Sequence, residues 1–429
     1  MGELAPLAAF LASLDGAALP PAVREAARLH VLDTLAAGVA GRDSELARAL
    51  APLAGQGVEG AALVGAALAH RHEIDDIFDT ALLCIGGLVV PAALALGRAR
   101  GATGAAVLAA VVAGYEAMGR LGLALGAARL LTRGWWPSAV CGAVGVAAAA
   151  SRLLELPAAA TASALGLAAL HSGGLAGGED SLLGRNLLYG SAARAGLLAA
   201  QAAAAGITGP AAPLGAPRGL GAVYGVAPDP AQLVDGLGER FIVTQTSLKP
   251  YAAARQLHAA VEAALELRRG LPLAAIEQVL VEVPADAAFV DRPAGAALPA
   301  APAGSAQWVL ALALARGRLL PSDLAPEALA SARSLAQRVT VRVAAPGARP
   351  TLSAALTVRA AGQTLQREVW VPKGGPDRPL TVEEVVDKAR ALVEPQLGPE
   401  TARLINLALG LDTLPTVDAL AALATPLAR

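Results

Sequence analysis

Cysteine, aromatic residues and lysine are all scarce in this chain of 429 residues. Two cysteines cannot build a disulfide framework, and they suit a reducing compartment. Aromatic residues make up 3% of the sequence, too few to line a carbocation pocket. Neither charge sign is in excess: 34 Lys and Arg stand against 35 Asp and Glu, a net charge of −1. A phosphate-tracking nucleic-acid binder needs a basic excess or patch, as does an anionic-membrane binder, so the balance argues against both. Charged residues at 16% and hydrophobic residues at 55% exclude intrinsic disorder. The N-terminus carries Glu3 and Asp15 and no basic segment, so no signal peptide is expected. Mean hydropathy is +0.53. Yet two long uncharged stretches are poor membrane spans: Ala81–Gly97 contains Pro91, and residues 157–178 are built largely from Ala, Gly, Ser and Thr. The expectation is a soluble cytoplasmic protein whose large apolar area is buried internally and by oligomerisation. Lys249, Lys373 and Lys388 are its only lysines; every other basic residue is arginine.

Residues 1 to about 244 read as helices almost throughout. Pro21 suits a first helical turn, and Val31, Leu32, Leu35 and Val39 form a helical stripe behind it. Ala105–Leu125, Val140–Leu156, Ala158–Leu170 and Leu187–Ala205 repeat the pattern with small side chains, which let helix axes approach closely. After about residue 270 the period changes to two. Ile276–Val283 and Arg338–Val343 alternate, and Leu356–Arg359 and Thr364–Val369 flank a hairpin tip, with a helix expected over Ala306–Ala315. Helical periodicity returns at Thr381, three residues before Glu384, as in a capping box. The predicted fold is mainly α: a large all-α domain formed by both chain ends (residues 1–244 and 381–429) with a smaller inserted α+β unit over 245–380.

Polar residues concentrate in three places. His70, His72, Glu73, Asp75, Asp76 and Asp79 form the densest group; on a helix, His72 and Asp76 would share a face, as would Asp75 and Asp79. Asp75-Asp76-Ile77-Phe78-Asp79 also spells the acidic motif of class I terpenoid synthases, which chelate Mg²⁺ with such carboxylates, but no second metal motif accompanies it. Ser247-Leu248-Lys249-Pro250-Tyr251, followed by Arg255 and His258, suits anion binding, particularly of carboxylates. Arg185-Asn186 is a third, cationic candidate, and Trp135-Trp136 places half of the tryptophans at one turn, as an anchor or a pocket wall. No phosphate loop, dinucleotide fingerprint, zinc-ligand spacing or nucleophile elbow occurs, so neither a cofactor nor a metal is expected.

These segments together resemble the MmgE/PrpD family, which includes 2-methylcitrate dehydratase, cis-aconitate decarboxylase and iminodisuccinate epimerase. Leu32-Asp33-Thr34-Leu35 looks like the family's early Leu-Asp-Thr helix, and His70-Arg-His-Glu-Ile-Asp-Asp-Ile77 is similar to its His-x-x-Asp/Glu-x-Asp-Asp segment. Val89–Leu96, Ala113–Glu116, Trp136–Gly142, Gly190–Arg194 and Gly206–Pro210 follow in order. Leu237-Gly238 with Ser247–His258 is the most specific piece. The resemblance implies an all-α domain with an α+β lid, usually as a homodimer, and an active site between the two domains. It also implies cofactor-independent proton abstraction next to a carboxylate, or loss of water or CO₂, on small di- and tricarboxylates. Nucleic-acid and membrane partners are not expected.

Carried over residue by residue, the resemblance makes Lys249 the lysine of the family's Lys-Pro-Tyr segment, with Tyr251 and His258 beside it. Asp75 or Asp76 is the motif aspartate, and Glu73 the earlier carboxylate. Two family histidines are replaced, by Cys84 and by Trp136; a lysine has become Arg185 and a tyrosine Phe289. Arg185 retains a carboxylate clamp. Trp136 cannot accept a proton, Phe289 cannot donate one, and Cys84 acts only if its thiolate is stabilised. The expected catalytic set is Lys249, Asp75, Asp76, His72 and Cys84, with Arg185, Trp136, Tyr251, Glu73, His258 and Phe289 around the substrate. A 2-methylcitrate dehydratase-like lyase is the first expectation. An epimerase of an iminodisuccinate-like diacid, which needs no acid for a leaving group, is the alternative. A catalytically silent carboxylate-binding relative is the third.

Overall fold

Small residues dictate how the helices of this protein pack. The computed structural model describes residues 2–177, 181–295 and 297–424, so Gly178, the end of one uncharged stretch, lies outside the described residues. The chain forms two compact units, one of Met1–Arg71, Asp75–Ser247 and Val382–Arg429, the other of His72–Ile74 and Leu248–Thr381. The architecture is mainly α with one small four-stranded sheet.

The centre of the first unit is the pair of helices Gly104–Leu125 and Pro137–Leu153. Where they cross, a Cβ on Gly114 would lie 3.0 Å from the carbonyl oxygen of Gly145, and one on Gly145 would lie 3.1 Å from that of Gly114. Only glycine at both positions lets the two backbones meet, and the close approach replaces the bulk that aromatic residues would otherwise supply. Gly104–Leu125 is long and apolar enough to cross a membrane, but 89% of its most apolar window is buried inside the protein, as in a core helix. Helices Gly86–Ala99, Ala158–Ala169 and Leu182–Ala204 pack on this pair, and Gly57–Ala69 packs outside them on Gly86–Ala99 and Leu182–Ala204.

The C-terminal part of the chain joins this unit through charge. Helix Val382–Leu397, which starts directly after Thr381, packs along helix Pro21–Ala40. Between them the Lys388 ammonium meets the Asp33 carboxylate at 2.5 Å, with both side chains buried. Burial pushes the Asp33 carboxyl above its ordinary range, against the opposing pull of Lys388. Arg28 and Asp412 add a more exposed pair at 3.1 Å.

In the second unit, strands β1 (Ile276–Val283), β2 (Val339–Val343), β3 (Ala354–Ala360) and β4 (Gln363–Val369) form one sheet in the order β2-β1-β3-β4. β1 and β2 run parallel, which requires a crossover; helices Ala306–Arg316 and Pro326–Ala336 provide it. β3 and β4 form a hairpin whose tip holds Ala361 and Gly362 at φ 50° and 74°, the left-handed pair of a tight turn. The period-two pattern resolves as read: Val279, Val281 and Val283 are fully buried, with Leu356 and Val358 of β3 in the same core. Helix His258–Leu267 packs against β3 and β4, and helix Ala306–Arg316 against β2.

Cys141, inside helix Pro137–Leu153, is fully buried, and burial pushes its thiol up to about 12. Tyr224 is also pushed up to about 12, first by burial and then by the neighbouring Cys141. Each group holds its proton more tightly in the folded chain than in the unfolded one. Its contribution to stability is therefore complete below the unfolded value and is lost as pH rises toward the folded value. The expected outcome is a urea midpoint that falls above about pH 8.5, with Cys141 contributing up to about 1.4 kcal/mol per pH unit. Cys141→Ala should flatten that limb, and an unchanged slope would exclude Cys141 as its source.

Candidate active site

Helix Gly57–Ala69 ends at His70, and the segment that follows is not helical. Glu73 adopts a left-handed backbone at φ 52°, and Ile77 pairs in both directions with Ser247 through bonds of 2.9 and 2.8 Å. Phe78 then pairs with Leu83 around a short turn, Asp79–Ala81, closed by Leu82 at φ 54°. The helical spacing expected for His72 with Asp76, and for Asp75 with Asp79, is thus corrected. The tight reversal instead returns Cys84 to the side of Asp75.

The carboxylates of the acidic motif diverge. Asp75 Oδ2 lies 2.8 Å from His70 Nδ1. Asp76 lies 2.7 Å from His30 Nδ1, accepts the Gly86 backbone N–H at 2.8 Å, and accepts the Tyr115 hydroxyl. Asp79 accepts the Ser247 hydroxyl at 2.5 Å. Carboxylates turned to three different partners do not form the shared Mg²⁺ site of a terpenoid synthase. Asp76 is committed to the architecture. A Cβ on Gly86 would lie 2.4 Å from Thr34 Oγ1 and 2.6 Å from the Tyr115 hydroxyl, so the network closes only around glycine.

Asp75 belongs to a different group. A ring nitrogen of His70, a carboxylate oxygen of Asp75 and Sγ of Cys84 all lie within 4.8 Å of one another, and all three residues are buried. The Tyr189 ring stacks on the His70 imidazole with centroids 3.8 Å apart and planes 16° from parallel. Asn186 Nδ2 donates to the His70 carbonyl at 3.0 Å, fixing the residue from behind. Ser138 Oγ accepts the Cys84 backbone N–H at 3.0 Å and also hydrogen-bonds Tyr189. Trp136 Nε1 donates to the Tyr189 hydroxyl at 3.2 Å, and the Arg185 guanidinium lies 5.0 Å over the Trp136 ring. Burial, and then the nearby Cys84 and Asp75, hold the Tyr189 phenol well above its ordinary value, so it stays protonated. Nitrogen, oxygen and sulfur donors this close could hold a divalent ion, although the sequence predicts none.

The second unit holds the other candidates. Lys249, with its side chain 1% exposed, lies 3.7 Å from Glu73, and His72 beside it is half-buried. Tyr251 and His258 meet as tilted rings 5.4 Å apart, and His258 Nε2 lies 3.1 Å from the Ala253 carbonyl. Phe289 is 43% exposed, and its carbonyl accepts from Arg292 at 3.1 Å. The structure therefore collects Asp75, Cys84, Trp136 and Arg185 in one unit, and Glu73, Lys249, Tyr251 and His258 in the other.

Residues 54–233 match the model of the MmgE/PrpD N-terminal domain, and residues 251–412 that of the C-terminal domain. The chain belongs to the MmgE/PrpD family. Among its relatives, the cis-aconitate decarboxylase-like protein oryM of Aspergillus oryzae is 28% identical over 399 residues, 86% of this chain and 82% of the relative. A cis-aconitate decarboxylase of Aspergillus terreus is 30% identical over 226 residues, 49% of this chain and 46% of the relative. The matched N-terminal domain contains the whole His70–Asp75–Cys84 group with Trp136, Arg185 and Tyr189, whereas Lys249 falls between the two matched ranges.

Sequence reasoning chose His72 and passed over His70, Ser138 and Tyr189. A usable signal existed for Tyr189: it lies four residues after Arg185 on one helix, hence on the same face. The two adjacent aspartates predict different outcomes. Asp76→Ala leaves buried donors without an acceptor and should cost about 3–5 kcal/mol in urea denaturation. Asp75→Asn keeps a polar partner for His70 and should stay folded, with a midpoint near that of the unmodified chain. Equal losses at both positions would refute the division of roles.

Proposed function

We propose that this MmgE/PrpD protein is a lyase that acts at the carbon next to a carboxylate of a small di- or tricarboxylic acid. The observation that carries the reading is the buried His70–Asp75 pair beside Cys84, in a unit that also presents the Arg185 guanidinium. The family match and the cis-aconitate decarboxylase relatives support it. The chemistry has two demands: a cation to hold the substrate carboxylate and spread developing enolate charge, and a group that moves a proton. Arg185 meets the first with a planar fork that takes a carboxylate through two parallel bonds. Stacking on Trp136 restrains that fork before substrate arrives. His70 is the candidate for the second, because the Asp75 carboxylate 2.8 Å from its Nδ1 fixes the orientation of its ring. Tyr189 remains a neutral phenol and contributes a hydroxyl without adding charge. Lys249 enters through its resemblance to the family's Lys-Pro-Tyr segment, as a second carboxylate-holding cation.

Epimerisation of a diacid is the second reading. It is favoured by one specific feature: Trp136 stands where the family has a histidine, and an indole cannot protonate a leaving hydroxide. The experiment separates the readings. The purified chain is incubated with cis-aconitate and with 2-methylcitrate, and CO₂ release and alkene absorbance are followed. Loss of CO₂, or of water, on either acid is expected. Deuterium uptake with inversion on a single diacid stereoisomer in D₂O, without either signal, would transfer the assignment to an epimerase. Binding of the acids with no reaction would identify a silent relative. Arg185→Ala should raise KM by about 10- to 100-fold through the lost charge-assisted bonds. Lys249→Ala should abolish turnover while the chain stays folded; unchanged activity would remove Lys249 from the site.

A further inference from the structure

We propose that His70, Asp75 and Cys84 form an inhibitory zinc site: one Zn²⁺ binds to the three side chains, and the loaded chain is inactive because the ion occupies the His70 ring. The binding stands on the geometry of the group. The inhibition rests on the functional reading above, in which His70 moves a proton.

The donor set selects the ion. One ring nitrogen, one carboxylate oxygen and one sulfur lie within 4.8 Å of one another, and all three residues are buried. Ligand atoms that share a tetrahedral zinc at about 2.0–2.3 Å are roughly 3.3–3.8 Å from one another. A spread of 4.8 Å or less closes onto one ion through side-chain torsions. The 2.8 Å contact between His70 Nδ1 and Asp75 keeps ring and carboxylate together until an ion arrives. Mg²⁺ and Ca²⁺ take shells of oxygen, so sulfur and nitrogen beside a single carboxylate disfavour both. Three protein ligands leave the fourth tetrahedral position for water or for an oxygen of an organic acid.

Charge points the same way. Bound to zinc, Cys84 is a thiolate, Asp75 a carboxylate and His70 a neutral ring, so two negative charges meet two positive ones. A buried region accommodates that neutral assembly better than an excess of either sign. The Cys84 thiol proton passes to solvent as the Zn–S bond forms, and nothing is oxidised or reduced. His70 caps the C-terminus of helix Gly57–Ala69, whose partial negative charge favours a cation there. The opposing N-terminus of helix Gly86–Ala99 is met by Asp76, which accepts the Gly86 N–H at 2.8 Å. The supports of the donors are in place as well: Asn186 holds the His70 carbonyl, Tyr189 stacks on the ring, and Ser138 accepts the Cys84 N–H. Cys84, at 5% exposure, is the most accessible of the three.

The test uses the full chain, treated with EDTA and then titrated with Co²⁺, whose bond to a thiolate gives a charge-transfer band in the near ultraviolet. A band that saturates at one equivalent and is displaced by Zn²⁺ is expected. The chain has two cysteines, so variants assign the band. Cys141→Ala should keep it. Cys84→Ser and Asp75→Asn should each weaken Co²⁺ binding by at least about 100-fold, beyond the cost of an outer-shell change. If Cys84→Ser unfolds, Cys141→Ala decides, since Cys84 is then the sole thiol. One equivalent of Zn²⁺ should lower turnover of the accepted acid by about tenfold or more, and EDTA should restore it. No band, a band lost in a folded Cys141→Ala, or full turnover in the zinc-loaded chain would each overturn the proposal. Co²⁺ bound through Cys84 in a chain that turns over neither acid would instead sink the functional reading, and the inhibition with it, and leave the metal site standing.

Discussion

Two adjacent carboxylates, Asp75 and Asp76, are wholly buried, and much of the first unit is arranged to satisfy them. A buried charge without partners costs several kcal/mol, so each must be met by donors. The two side chains turn to different partners, and one set of donors does not serve both. Asp76 therefore takes donors from helices Pro21–Ala40 and Gly104–Leu125 and from the first turn of Gly86–Ala99. Asp75 takes His70, and through it the stacked Tyr189 of helix Leu182–Ala204. One pair of residues thereby ties the architecture on one side and orders the His70–Cys84 group on the other.

This division explains why the His70–Asp75–Cys84 group can be precise although it sits on irregular chain. His70 is clamped by Asp75, by Tyr189 and through its own carbonyl by Asn186. Cys84 is fixed by its N–H on Ser138 and by the Phe78–Leu83 pairing just before it. Those helices stay close because glycine-to-glycine crossings such as Gly114 with Gly145 leave their backbones little room to shift. Tight packing of small residues thus serves the same end as a large aromatic core: it holds polar groups within fractions of an ångström.

Much of the fold was legible in the sequence because it is periodic. The β1 alternation and the hairpin between β3 and β4 follow from a period of two, and the long helices from a period near 3.6. The site was legible in composition and not in geometry. The residue types at 70–84 pointed to polar chemistry, but helical spacing misplaced them, since a left-handed Glu73 and a pairing with Ser247 arise from contacts 170 residues apart. For the same reason His72–Ile74 belongs to the second unit while His70 stays in the first, a split no local pattern encodes. The family resemblance supplied Cys84, Trp136 and Arg185 as departures. It did not supply Tyr189 or Ser138, which matter here through their contacts with those departures.

The three lysines illustrate how far composition can carry. In a chain whose other basic residues are arginine, a retained lysine marks a place where a compact ammonium differs from a broad guanidinium. Lys388 makes such a contact: its ammonium meets Asp33 at 2.5 Å between two helices, with both side chains buried. Its role is to fasten the C-terminal helix to an N-terminal one, so the Leu-Asp-Thr segment that resembles the family's early helix has an architectural cause. Lys249 is more deeply buried still, and lies 3.7 Å from the Glu73 carboxylate. The rarity of lysine thus flags two buried cations in different settings: Lys388 fastens two helices of the first unit, and Lys249 sits against Glu73 in the second.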